Sequence, residues 1–278
     1  MSKNRIIYYY QTFTGLKPIL EQDPIKVTHI HLAAFHFGLD ENNKEYIHLN
    51  NYPPDNPKFK SVWQDIKSAY EKGIKIIYMI GGAGGAYDAL FSNFETYYKL
   101  LQNTLKNFPY AAGVDLDVEQ YVGMKNIKKL INRINEDYGT EFIISIAPVA
   151  YSLTTDINGM GGFIYKELYE SEEGKCINYF NGQFYGCYDK ETYDDVIKNG
   201  YPSSQVVFGM VSSDFSKSTF NNACDIIESI KNQYDNFGGV FVWEYFDCPP
   251  GSPTNSEEWS NIIYKILNPS NSCFSCFC

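Results

Sequence analysis

Ala111-Ala112-Gly113-Val114-Asp115-Leu116-Asp117-Val118-Glu119-Gln120 is the stretch on which the fold turns. From Val114 to Glu119, aliphatic and acidic residues alternate strictly. In a strand every second side chain faces the same way, so Asp115, Asp117 and Glu119 share one face and Val114, Leu116 and Val118 the other. An exposed edge strand would place those acids in water. The surrounding sequence argues for the opposite.

Residues 111–119 form the fourth of eight short β-rich runs, the others being 5–10, 27–37, 75–80, 142–148, 177–185, 205–211 and 238–245. Amphipathic, helix-like stretches separate them, at 59–72, 96–107, 125–137, 193–199, 222–234 and 256–266. Alternating β and α elements predict a parallel sheet covered by helices. Eight units, with no glycine-rich phosphate loop after the first run, predict closure into a (β/α)8 TIM barrel rather than an open sheet. One domain is expected over residues 1–270, without a large insertion, followed by a Cys-rich tail at 271–278. The long loops at 50–57 and 159–162 are expected at the mouth, where barrels place binding groups.

In a barrel the aliphatic face of 111–119 meets the helices, so the acids point inward and toward the C-terminal mouth. Three enclosed carboxylates repel one another and lose solvation, a cost retained for function. Glu119 comes last, nearest the mouth. Repulsion from Asp117 and Asp115 is expected to keep a proton on it, the condition for a general acid near neutral pH.

With those residues in place, Gly113-Val114-Asp115-Leu116-Asp117-Val118-Glu119 resembles the signature of glycoside hydrolase family 18, the chitinases and their relatives. The resemblance implies a retaining reaction without a protein nucleophile, an exception to the usual two-carboxylate scheme. The substrate's N-acetyl group attacks the anomeric carbon. Glu119 is then the acid/base, Asp117 the partner of the acetamido group, and Asp115 the third carboxylate, sharing charge with Asp117. The family pattern has a further Asp where this chain has Ala112.

Other runs extend the likeness along nearly the whole chain. Lys75-Ile76-Ile77-Tyr78-Met79-Ile80-Gly81-Gly82 resembles the family's third strand, with Met79 in place of a Ser. Gly81 and Gly82 are expected beneath the substrate. Asn178-Tyr179-Phe180-Asn181-Gly182-Gln183-Phe184-Tyr185 resembles the Gln-Phe-Tyr strand of small plant-type chitinases. It implies that Tyr185 hydrogen-bonds the acetamido group, with Gln183 beside it. Gly186 stands where the family often has Asn or Asp, and Tyr188-Asp189 offers a second register. Gly238-Gly239-Val240-Phe241-Val242-Trp243-Glu244-Tyr245 resembles the last strand, with Trp243 as the apolar floor under the sugar. Tyr8 and Phe35 are further expected substrate contacts. By the same likeness, cis peptides are expected at Ala34–Phe35 and Trp243–Glu244.

The expected activity is endo-hydrolysis of β-1,4 linkages in chitin or chito-oligosaccharides. An endo-β-N-acetylglucosaminidase acting on N-glycans is the alternative within the same chemistry. A sugar-binding lectin is the alternative from another class, disfavoured because Asp117 and Glu119 are both present.

Composition fits these expectations. The 278 residues suit one barrel, and 24 Tyr with 19 Phe supply flat rings for sugar faces. With 33 Asp and Glu against 23 Lys and Arg, the net charge of −10 disfavours nucleic acid as a partner. No run is long and apolar enough for a membrane span. The start, Met1-Ser2-Lys3-Asn4-Arg5-Ile6-Ile7-Tyr8, lacks the apolar core of a leader peptide. A cytoplasmic protein is expected, or a secreted one whose leader lies outside this sequence. The partner expected is an N-acetylglucosamine-containing polysaccharide or oligosaccharide, met by a monomer. No metal or other cofactor is expected. Cys273, Cys276 and Cys278 lack a fourth ligand, and His29, His31 and His36 have no acidic or Cys partner at ligand spacing.

Overall fold

The computed structural model describes residues 4–251 and 254–269. Nine strands are present among them. They are β1 (Arg5–Tyr10), β2 (His29–Leu39), β3 (Glu45–Leu49), β4 (Lys75–Gly81), β5 (Ala111–Asp117), β6 (Ile143–Ile146), β7 (Tyr179–Gln183), β8 (Val206–Val211) and β9 (Gly239–Trp243). Eight pair in parallel in the order β1-β9-β8-β7-β6-β5-β4-β2, and β1 pairs with β2 to close the ring. The chain is a single-domain (β/α)8 barrel.

The period-2 alternation of each strand divides the hydrophobic residues into two layers. Val114 and Leu116 of β5 join Ile30, Leu32, Tyr78, Phe208 and Val240 in the layer under the helices. A smaller inner cluster holds Ile7, Tyr9, Ala33, Ala34, Ile77, Met79, Tyr179 and Phe241. Helices cover the outer layer with one apolar stripe each. The helix Met124–Tyr138 buries Ile127, Leu130, Ile131 and Ile134, the 3.6-residue pattern of a half-buried helix.

The ninth strand was not expected. β3 runs antiparallel to the C-terminal half of β2, pairing Phe35 with Leu49 through Leu39 with Glu45, and carries β2 past the barrel rim. β2 and β3 share the one helix that follows, Lys60–Glu71, so the segment 45–49 adds no barrel unit of its own. The fourth run also ends earlier than its alternation suggests. β5 stops at Asp117, whose carbonyl accepts from Gly82 N at 2.8 Å, and Val118 and Glu119 leave the ladder to enter the loop.

The four cysteines among the described residues, Cys176, Cys187, Cys224 and Cys248, form no disulfide. The Cys-rich tail expected at 271–278 lies outside the described residues. Among those residues no helix is long and apolar enough to cross a membrane.

Candidate active site

Asp115 and Asp117 are both enclosed by the barrel, at 0% and 5% exposure, and Glu119 stands half-buried above them. Side chains of four other strands converge on Asp115. Tyr9 Oη donates to Oδ2 at 2.7 Å, Ser145 Oγ to Oδ1 at 2.6 Å, and Asn181 Nδ2 to Oδ1 at 3.1 Å. His31 Nδ1 lies 3.4 Å from Oδ2. Burial alone would raise this carboxyl, but the charge of His31 and the hydrogen bonds from Ser145 and Tyr9 hold it below the ordinary carboxylate range.

Asp117 has the opposite surroundings. Burial, then the charges of Glu119 and Asp115, push it well above the ordinary range, against one hydrogen bond from Gln183 Nε2 at 3.2 Å. Burial also raises Glu119, and a Gln183 hydrogen bond opposes that rise. Glu119 is raised as expected, but the cause differs from the mutual repulsion expected of the three acids. Asp117, fully enclosed with a carboxylate on either side, is raised by burial and then by those charges. Glu119 is raised mainly by its own partial desolvation.

A cavity of about 300 Å³ opens over these acids. Asp117, Glu119, Gln183, Tyr185, Trp243, Gly81 and Gly82, all expected at the site, line it. Burial, then the charge of Asp117, pushes the Tyr185 hydroxyl well above its ordinary value. Trp243 ends β9 and packs its ring 5.3 Å from that of Tyr9. Gly81 takes φ +100°, and a Cβ there would fall 2.2 Å from the Asp117 carbonyl oxygen. Only glycine combines that backbone with so close an approach. The Tyr188-Asp189 register is otherwise employed. Tyr188 Oη donates to Asp214 Oδ2 at 2.6 Å, and Asp189 caps the helix Lys190–Lys198 by accepting from Thr192 N.

Two expected contacts lie elsewhere. Tyr8 is fully buried in the outer layer, where its hydroxyl donates to the Ser256 carbonyl at 2.6 Å and accepts from Ser260 N at 3.0 Å. Tyr9, one residue on, holds the inward position. A one-residue slip reverses faces, and a strand that is apolar on both faces gives no sign of which is which. Phe35 is also in the outer layer, stacked 4.9 Å from Tyr78. The β2 register shifts between Leu32 and Phe35, so both Ala33 and Ala34 face inward and Ala34 lines the cavity. The non-proline cis peptides among the described residues are Ala33–Ala34 and Trp243–Glu244, the first one bond earlier than expected.

Sequence reasoning missed Tyr9, Ser145 and Asn181, and the part His31 plays. Each lies on an inward position of its own strand, a parity that β5 announces through its acids and these strands do not. Gln11, His36 and Met79 also line the cavity unannounced. Among the described residues no group of three His, Cys, Asp or Glu side chains is arranged to hold a metal ion.

No protein-family model matches the sequence. The chain is similar to Chitinase 2 of Rhizopus oligosporus, at 25% identity over 81% of this chain. It spans 44% of that relative's length. Among solved structures it resembles a fungal endo-β-N-acetylglucosaminidase from glycosyl hydrolase family 18, at 32% identity and a TM-score of 0.85, with 96% of this chain and 99% of that chain covered. It also resembles the chitinase ChiC from Aspergillus fumigatus, at 31% identity and a TM-score of 0.80, with 93% and 97% covered.

Proposed function

The chain belongs to glycosyl hydrolase family 18 and is a glycoside hydrolase, and from that premise we propose that it cleaves β-1,4 linkages of chitin or chito-oligosaccharides with retention, using the substrate's own N-acetyl group as nucleophile. In this reading Glu119 donates its proton to the glycosidic oxygen while the acetamido carbonyl oxygen attacks the anomeric carbon. Water then opens the cyclic intermediate, and Glu119 recovers the proton as general base. Tyr185 donates to the attacking oxygen, and Trp243 supports the sugar ring.

The observation that carries the proposal is the placement of Asp117, buried on the cavity wall between Asp115 and Glu119. It is enclosed beside two other carboxylates, and no cationic group lowers it. The acetamido group becomes positively charged as it attacks. Asp117 is therefore poised to stabilise a cation that is absent from the ground state, which is the differential binding catalysis requires. Asp115, held ionised from below, backs that charge.

A second reading, endo-β-N-acetylglucosaminidase action on N-glycans, is favoured by one observation. The structure similar at 32% identity over nearly its whole length carries that activity in its description. Both reactions use the same acids and differ in what lies beyond the cleaved bond.

The deciding experiment gives the purified protein a chito-oligosaccharide and, separately, an N-glycosylated peptide. New reducing ends from the first, in the β configuration, and none when Glu119→Gln replaces the wild type, support the main reading. Cleavage of the peptide's glycan alone establishes the second. Turnover by Glu119→Gln at the wild-type rate would sink both.

A further inference from the structure

The opposite end of the barrel holds a cavity of about 520 Å³ that the hydrolase chemistry does not use. It opens at the N-terminal ends of β1, β2, β4 and β7, and its lining includes Arg5, His29, Lys72, Lys75, Asn178 and Tyr179. Three Lys or Arg side chains line it and no Asp or Glu does, in a chain with ten more acids than bases. We propose that this cavity is a second binding site, for a phosphoryl group or a compact phosphorylated molecule.

Two observations carry the inference beyond a count of charges. The first is the pairing of the cations. None of the ion pairs among the described residues includes Arg5, Lys72 or Lys75. For the two lysines, both exposed, that is ordinary. For Arg5 it is not. Its guanidinium is part-buried, lying 4.2 Å over the Tyr179 ring, and burial lowers its pKa. Enclosed charges are normally compensated by a counter-charge. Here only Nη1 is engaged, donating to the carbonyls of Ser204 at 2.9 Å and Gly238 at 3.1 Å. A guanidinium with open N–H groups suits phosphate, whose oxygens it meets two at a time.

The second observation is His29, 6% exposed on the same cavity. Its Nδ1 meets Thr28 Oγ1 at 2.8 Å, and Nε2 has no hydrogen-bond partner among the described residues. That nitrogen is not among the enclosed atoms; it faces the open cavity, uncommitted to any protein group and available to a ligand there. Burial, then the charges of His31, Arg5 and Lys75, depress its pKa, and an anion in the cavity would offset the part that comes from those charges. A purely structural role explains the Arg5 bonds to the backbone, which tie β1 to the starts of β8 and β9. It explains neither the open His29 nitrogen nor the acid-free rim.

The test is binding of inorganic phosphate and of pyrophosphate to the full chain by titration calorimetry, with chloride matched for ionic strength. Glucose 6-phosphate serves as the phosphorylated-molecule arm. The expected result is saturable binding of at least one of the three, undiminished in Glu119→Gln, which separates it from the catalytic cleft. The double variant Lys72→Gln/Lys75→Gln is expected to weaken it about tenfold while melting at the wild-type temperature, since both lysines are exposed. Arg5→Gln is expected to abolish it, and the lysine variant keeps the test open should that protein fail to fold. Preference for glucose 6-phosphate over phosphate identifies an organic ligand, and the reverse a free anion. Absence of saturable binding by all three, or equal affinity in wild type and the double lysine variant, overturns the proposal.

Discussion

His31 Nδ1 lies 3.4 Å from Asp115 Oδ2, with both side chains fully buried on the axis of the barrel. The contact orders the charges above it. Asp115 is held as a carboxylate at the bottom of the stack, while Asp117 above it is raised by burial and then by the charges of Glu119 and Asp115.

Replacing His31 by Asn should therefore destabilise the protein in a pH-dependent manner. A carboxyl whose pKa is lowered on folding contributes stability above its unfolded pKa and loses it as the pH falls through the folded one. Near neutral pH, His31→Asn is expected to cost about 2 kcal/mol, the scale of a hydrogen bond to a charged group. The deficit should narrow as the solution is acidified and Asp115 takes up its proton. Denaturant melts at several pH values measure this. A deficit independent of pH would assign His31 to packing alone.

Asp117 has the reverse sign. Its pKa is raised on folding, so its contribution is fully present below the unfolded pKa and lost as the pH rises through the folded value. Asp117→Asn removes that penalty. Its melting temperature should exceed that of the wild type at neutral and alkaline pH and converge with it in acid. Turnover should fall by about 10²-fold or more, because an amide, unlike a carboxyl, cannot ionise to meet a developing cation. Gain in stability with loss of rate is the signature sought by paired calorimetry and kinetics.

Gln183 restrains both upper acids, and its side chain also donates to the Ala147 carbonyl at 3.0 Å. Gln183→Leu releases Asp117 and Glu119 to rise further. The alkaline limb of the kcat/KM profile, where the acid loses its proton, is expected to move to higher pH. A limb displaced to lower pH would contradict the hydrogen-bond assignment.

Tyr8 and Tyr9 are neighbours in sequence and opposites in place. Tyr8→Phe takes the hydroxyl from Ser260 N and leaves the Ser256 carbonyl only the weaker Cys248 Sγ donor at 3.3 Å, costing about 1–3 kcal/mol while leaving kcat unchanged. Tyr9→Phe takes a donor from Asp115 and an acceptor from Asn181 Nδ2 at 2.9 Å. It should lower kcat by about tenfold or more. Equal kinetic effects from the two would refute the division between layers.

Gly81→Ala tests the floor of the site. The added methyl would stand 2.2 Å from the Asp117 carbonyl and 2.6 Å from the Tyr87 ring, at φ +100°. A loss of more than about 2 kcal/mol is expected, with a fall in kcat as Asp117 is displaced. Denaturant midpoints and initial rates report the two effects separately.

These residues also mark how far the sequence could be read. Eight β-rich runs and their helices were legible because period 2 and period 3.6 differ plainly over ten residues. The acids of β5 disclosed their own orientation, since aliphatic and charged side chains cannot exchange layers. Ile6-Ile7-Tyr8-Tyr9-Tyr10 disclosed nothing of the kind, being apolar in both directions, and Tyr8 was placed at the substrate in error. Phe35 went astray for another reason. The register shift after Leu32 depends on how β2 meets β4, a relation between segments more than 40 residues apart. β3 escaped notice because it extends an existing strand instead of adding a unit to the barrel.

Asp115 is gripped by Tyr9, His31, Ser145 and Asn181, each contributed by a different strand. A surface loop can be recast by altering one stretch of gene. This junction cannot, because a change in any one contributor leaves the others mismatched. Evolution toward new glycans should accordingly proceed at the rim, in loops that can vary one at a time, while the strand interiors stay locked by their shared obligation to one carboxylate.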